Sequence, residues 1–246
     1  KSIIFFETLY LIKIKNMKVQ IWSDIMCPFC YIGKKNFENA IANLPFRDEI
    51  EIEWKSFQLD PTLSETSGEF TTKQYLMEKK GFSEVQYNQM QERLNQMGKA
   101  VGIDFSQASP IAANTLKAHK LLHLAKQFGK QDELKELLLK AHFEKGLNVA
   151  DSNVLIDLGN AIGIDSEAVL KALNDDAIAY EVQQDILEAQ NIGVTGVPFF
   201  VLNNKYAVSG AQPSEVFIDA MKQAYNEIEV LNQNNDANSC SIDGCE

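Results

Sequence analysis

The chain has 246 residues, 45% of them hydrophobic and 23% charged, and 34 acidic against 23 basic residues leave a formal net charge of −11. Such a composition buries a core in one large domain or two small ones and excludes disorder for most of the chain. The acidic excess repels phosphate backbones and anionic lipid, so nucleic-acid and membrane-surface partners are excluded.

Residues 1–16, KSIIFFETLYLIKIKN, resemble the start of a signal peptide. Glu7 interrupts the apolar run, however, which is too short to span a bilayer and has no small-x-small cleavage site. Met17 therefore reads as the initiator and residues 1–16 as an N-terminal extension, and the expected location is cytoplasmic. Residues 17–23, MKVQIWS, alternate Val19 and Ile21 against Lys18 and Gln20, the mark of a strand. After Cys27-Pro28-Phe29-Cys30, the positions Tyr31, Ile32, Phe37, Ala40 and Ile41 recur at helical spacing up to Pro45. Ile50 to Lys55 alternate again, completing a βαβ unit with the cysteine pair at its helix start.

From 61 to 192 the pattern predicts helices only. Ser83 and Gln86 form a capping box, and Gly102 closes that helix. Pro110 reads as a first-turn proline of a helix running to Gly129. Asp151 caps a helix ending at Gly163, and one or two more cover 166–191. At 193 sheet character returns. Phe199 to Leu202, the Asn203-Asn204 turn and Tyr206 to Val208 predict a hairpin, and Gln212-Pro213 opens a last amphipathic helix. The tail from 230 is polar and is expected to be flexible.

Chemistry concentrates at the first cysteine pair. A cysteine at a helix N-terminus faces unpaired backbone N–H groups and the positive end of the helix dipole, which favour the thiolate. Cys27 is thus the expected nucleophile, with Cys30 one turn on and able to attack the mixed disulfide. Pro28 suits the first helical turn, and Pro28 and Phe29 together would tune the thiolate. A buried carboxylate at Asp24 would oppose thiolate formation; otherwise Asp24 is a solvated turn residue.

These residues resemble the DsbA-type thioredoxin-fold oxidoreductases, specifically their FrnE-like branch. DIMCPFC, NTLKAHKLLHLA (114–125) and GVTGVPFFVLNNKYAVSGAQ (193–212) carry the likeness, which covers about 17–229. The resemblance implies an α/β thioredoxin fold whose large helical insertion, 61–192, lies between the second and third strands. Residues 17–60 and 193–229 would then form the thioredoxin-like domain. It also implies a cis Val197–Pro198 peptide beside the cysteines, with backbone there to bind substrate, and thiol–disulfide exchange in which Cys27 attacks and Cys30 resolves. Partners would be protein or small-molecule disulfides or dithiols, glutathione among the candidates, with no cofactor. Kappa-class glutathione transferases and hydroxychromene-carboxylate isomerases are related to that family but typically carry Ser where this chain has Cys27. A glutathione-dependent isomerase or transferase is therefore the alternative.

Other candidates weigh less. His119 and His123 share one helix face but lack the glutamate of a zinc-protease motif, so packing is expected rather than metal. His142 stands alone. Tyr75, Met77, Tyr87, Met90 and Met97 read as packed helix faces, some of which could line an apolar peptide-binding groove. Cys240 and Cys245 read as a second redox pair exchanging with Cys27 and Cys30; the alternatives are an exposed, adventitious pair or half of a four-thiolate zinc site.

Overall fold

In the computed structural model the described residues are 16–65, 68 and 70–239. Cys240 and Cys245 lie outside them, as do residues 1–15. The first strand, β1 (Met17–Ser23), pairs in parallel with β2 (Ile50–Ser56), and α1 (Pro28–Ala42) connects them. The hairpin β5 (Phe199–Leu202) and β6 (Tyr206–Ser209) returns antiparallel on the other side of β1, giving the order β2-β1-β5-β6. Asn203 and Asn204 both take positive φ, 50° and 54°, as the tight turn requires.

Both faces of the sheet are covered, which is why β1 is buried along almost its whole length. Val19, Ile21, Phe200 and Leu202 meet Phe37 and Ala40 of α1 and Phe217 and Met221 of the last helix, α9 (Ser214–Ser239). On the opposite face Trp22 packs with Ala189 and Val194, and its indole N–H donates to the Asp185 carbonyl at 2.9 Å. The helix α9 continues nine residues beyond 230, where the sequence suggested a flexible tail. Residues 231–239 contain no Gly or Pro to stop it.

Between β2 and β5 lie the ribbon strands β3 (Phe70–Thr71) and β4 (Ile111–Ala112), with helices α2 (Thr72–Lys80) and α3 (Glu84–Ala100). They are followed by α4 (Leu116–Gln127), α5 (Gln131–Phe143), α6 (Ser152–Ala161), α7 (Ser166–Leu173) and α8 (Asp176–Asn191). The capping box at Ser83 and Gln86 and the cap at Asp151 form as expected. The all-helical expectation for 61–192 needs correcting, because β3 and β4 pair antiparallel through two residues each. Such a ribbon is too short to leave an alternating signal. Pro110 is likewise no helix start: its carbonyl accepts from Thr72 N at 2.7 Å, and α4 begins only at Leu116, whose N–H is held by Asn114 Oδ1. A second core of Leu121, Leu138, Leu155, Val169 and Ile178 holds α4 to α8 together.

Asp185 of α8 ties this helical core to the sheet. Its carboxylate accepts from Ser56 N at 2.9 Å and from Lys55 Nζ at 2.9 Å, and lies 3.1 Å from His123 Nε2 of α4. Gln131 of α5 adds a second tie, its side-chain amide meeting both the N–H and the carbonyl of Trp54. Burial works against the Asp185 charge, but His123, Ser56 N–H and Lys55 outweigh it and hold the carboxyl below its ordinary value of 3.8. Replacing Asp185 by Ala strands these donors, and the expected loss of unfolding free energy is about 3–5 kcal/mol in urea titrations at neutral pH. Because the folded pKa is lowered, the contribution is complete above the ordinary value and disappears as pH falls through the folded one, so the deficit of the variant narrows in acid.

Candidate active site

Ser23 ends β1, and Asp24-Ile25-Met26 turns the chain directly into α1. Cys27 is the N-cap residue in extended conformation, Pro28 stands in the first turn where its missing N–H leaves nothing unpaired, and Cys30 N donates to Cys27 O at 3.0 Å. Both cysteines are free thiols and both are buried, Cys27 at 4% and Cys30 at 0% exposure. The small difference matters, because Cys27 lines a cavity of about 770 Å³ whereas Cys30 lies behind it.

The loop before β5 closes over the pair. Val197–Pro198 is cis, and the Cys27 thiol donates to Val197 O at 3.4 Å. Gly33, one turn after Cys30, permits this approach: a Cβ there would stand 2.8 Å from Pro198 Cγ. No sequence reading singled out Gly33, although a glycine inside a helical pattern marks a position where another segment comes close.

Beneath the pair is a buried polar cluster. Asp24 is fully buried rather than a solvated turn residue, accepting from Leu59 N at 2.7 Å and from Met26 N at 3.4 Å. His119 Nε2 of α4 lies 3.5 Å from Asp24 Oδ1, just short of hydrogen-bond geometry. Burial opposes ionisation of Asp24, yet His119, Leu59 N–H and Thr115 keep its pKa below the ordinary value. Lys135 of α5 is buried at 1% exposure, and burial brings its pKa down to about 8 against the opposing pull of Cys30, Asp24 and Cys27. His142 is buried too, edge-on to Phe143, and burial takes its pKa to about 4. His119 and His123 do not converge: His123 faces Asp185, Glu181 and Ser56 instead.

The two thiols titrate as one unit with a shared proton. Burial works against ionisation of Cys30, but the hydrogen bond from Cys27, then the Lys135 ammonium and the Ser23 hydroxyl, outweigh it and lower its pKa. Cys27 rises well above the ordinary value, first through that same hydrogen bond, then through burial and the charges of Cys30 and Asp24. The first proton lost therefore belongs to the pair, and the Lys135 ammonium favours its loss.

A thioredoxin-like sheet interrupted by a helical insertion, with two cysteines at the first helix start and a cis-proline facing them, is the DsbA architecture. A probable DsbA oxidoreductase from Streptomyces coelicolor has a similar structure, with a TM-score of 0.81 and 40% identity over 86% of this chain and 91% of that one. The uncharacterized protein YwbO of Bacillus subtilis is 28% identical over 210 residues, 84% of this chain and 96% of YwbO. The cytosolic disulfide reductase DsbM of Pseudomonas aeruginosa, solved with GSH, shares the fold with a TM-score of 0.60 and 12% identity, over 85% of this chain and 99% of that one. A family model, the DSBA-like thioredoxin domain, matches residues 18–222, and the chain belongs to that family of thiol–disulfide oxidoreductases.

The electrostatic layout has a direct readout. Replacing Lys135 by Met removes the cation behind Cys30, and the first thiolate of the pair, followed by its ultraviolet absorbance, should appear roughly one pH unit higher. An unmoved midpoint would show that Lys135 does not act on the pair.

Proposed function

We propose that the protein exchanges disulfides with protein or small-molecule substrates through Cys27-Pro-Phe-Cys30. The observation that carries this reading is the placing of the two cysteines: Cys27 on the cavity wall facing the cis-proline loop, Cys30 one turn on, fully buried and not part of that wall. Cys27 attacks a substrate sulfur as its proton shifts to Cys30 or leaves with the departing thiol. Cys30 then attacks the Cys27 sulfur, forming the intramolecular disulfide and releasing the second thiol. Pro28 and Phe29 shape the helix start and one cavity edge, and the backbone at Val197 and Pro198 aligns the substrate across the pair. The cytoplasm is the proposed compartment, where a paired Cys-x-x-Cys serves catalysis rather than structure.

Cys27→Ser should abolish disulfide exchange, while Cys30→Ser should accumulate a mixed disulfide at Cys27 visible by mass spectrometry. Glutathione-dependent isomerisation or transfer surviving in Cys27→Ser, with no disulfide exchange by the unmodified protein, would favour the transferase-like alternative. We also propose that Cys240 and Cys245 form a second pair exchanging with the first. Replacing both by Ser should then alter the exchange rate or the reduction potential of the Cys27–Cys30 couple; if neither changes, the tail pair has no part in the reaction.

A further inference from the structure

The walls of the cavity beside Cys27 are built mainly from Phe29, Leu76, Tyr87, Met90, Leu94 and Phe105. Among the described residues lining it, the charged ones are Lys73 and Lys80. Each is matched by a carboxylate at the rim: Lys73 lies 3.1 Å from Glu84, and Lys80 lies 2.9 Å from Asp60. Asp60 is itself fixed by the Tyr75 hydroxyl, which donates to it at 2.5 Å. Among the fully buried side-chain atoms of the described wall residues, Thr72 Oγ1 has no hydrogen-bond partner. The site therefore offers a sulfur nucleophile, apolar and aromatic surface, neutral hydroxyls and carboxamides such as Thr72, Gln91, Asn95 and Ser109, and no unbalanced positive charge.

A cavity of this volume encloses most of a drug-sized molecule. A carboxylate brought into it would lose water with no unpaired cation to meet it, and would approach a chain of net charge −11. We infer that the substrate is a low-molecular-weight disulfide with an uncharged, apolar or aromatic body, in preference to an anionic one such as oxidised glutathione. This rests on Cys27 being the attacking sulfur. In the reaction the Cys27 thiolate bonds to one substrate sulfur while the substrate S–S bond breaks, and the first thiolate leaves and takes up a proton. The Cys30 thiolate then forms the Cys27–Cys30 bond and expels the second substrate thiolate. The protein dithiol loses two electrons, the substrate gains them, and no other reactant is needed for a single turnover.

The test uses the full chain, reduced beforehand and freed of reductant. Its oxidation is timed with dibenzyl disulfide, with the para-carboxy analogue of that disulfide, and with oxidised glutathione. Each rate is divided by that of free dithiothreitol with the same disulfide, which cancels intrinsic reactivity. The uncharged disulfide should lead both anionic ones by about tenfold or more. Glu84→Gln, at the exposed rim, leaves Lys73 unbalanced and should narrow the gap severalfold by speeding the carboxylated disulfide. Met90→Glu should slow the uncharged one by about tenfold. Equal normalised rates, or oxidised glutathione in the lead, would overturn the substrate class while leaving the redox reading intact. If none of the three oxidises the Cys27–Cys30 pair, the redox reading itself fails.

Discussion

Three segments of the chain converge on one buried carboxylate. Asp24 closes the turn from β1 into α1 through Met26 N–H, holds the chain leaving β2 through Leu59 N–H, and faces His119 on α4. A carboxylate with 0% exposure keeps its charge only if such partners remain in place, so the position of the helix carrying Cys27 and Cys30 is coupled to that of α4. The sheet and the helical insertion each have an apolar core, a further apolar cluster joins Tyr31 and Ile32 of α1 to Leu94, Leu139 and Phe143 of the insertion, and polar ties add direction: Asp24 at the sulfurs, Asp185 and Gln131 along the edge strand β2. Directional bonds of this kind fix register in a way that apolar contact alone does not.

In the proposed reaction, chemistry and recognition are divided between the two halves. The sheet half supplies the sulfurs, the helix end and the cis-proline loop. The insertion supplies α2, α3 and the 105–110 segment as the facing wall, and Phe105 is locked to Phe143 edge-on, with ring centroids 5.5 Å apart. Changes on α2 or α3 can reshape what reaches Cys27 without touching the core that holds it. The arrangement also accounts for Tyr75, Tyr87 and Met90 facing the cavity from helices that otherwise present polar residues to solvent.

The local parts of this architecture were legible in the residues. Strand alternation, the Cys-x-x-Cys at a helix start, the capping box at Ser83 and the Asn203-Asn204 turn are each written within a few positions, where local chemistry decides the backbone. The cis peptide at Val197–Pro198 came only from family likeness, since few X-Pro bonds are cis and no neighbour marks this one. Lys135 was silent because it sits on an amphipathic helix among other lysines, and nothing local shows that it points inward. Asp24 was ambiguous for the same reason. Its role is set by Leu59 and His119, residues brought to it by the fold. Pro110 misled because proline starts helices and also ends loops, and here a backbone bond to Thr72 decided between them.

The balance of buried charge beneath the cysteines bears on which way the reaction runs. A group that stabilises the thiolate stabilises the reduced protein and makes its disulfide the stronger oxidant; a group that opposes the thiolate does the reverse. Lys135 acts in the first sense on Cys30, and Asp24 in the second on Cys27. With one cation and one anion both held out of solvent, the two influences oppose each other within a single cluster. His119 modulates the anion, and α5 carries the cation. For the proposed Cys27–Cys30 couple, a residue of the sheet half and residues of the insertion thus act together on the poise, the insertion acting on the sulfurs from behind as well as framing the cavity in front of them.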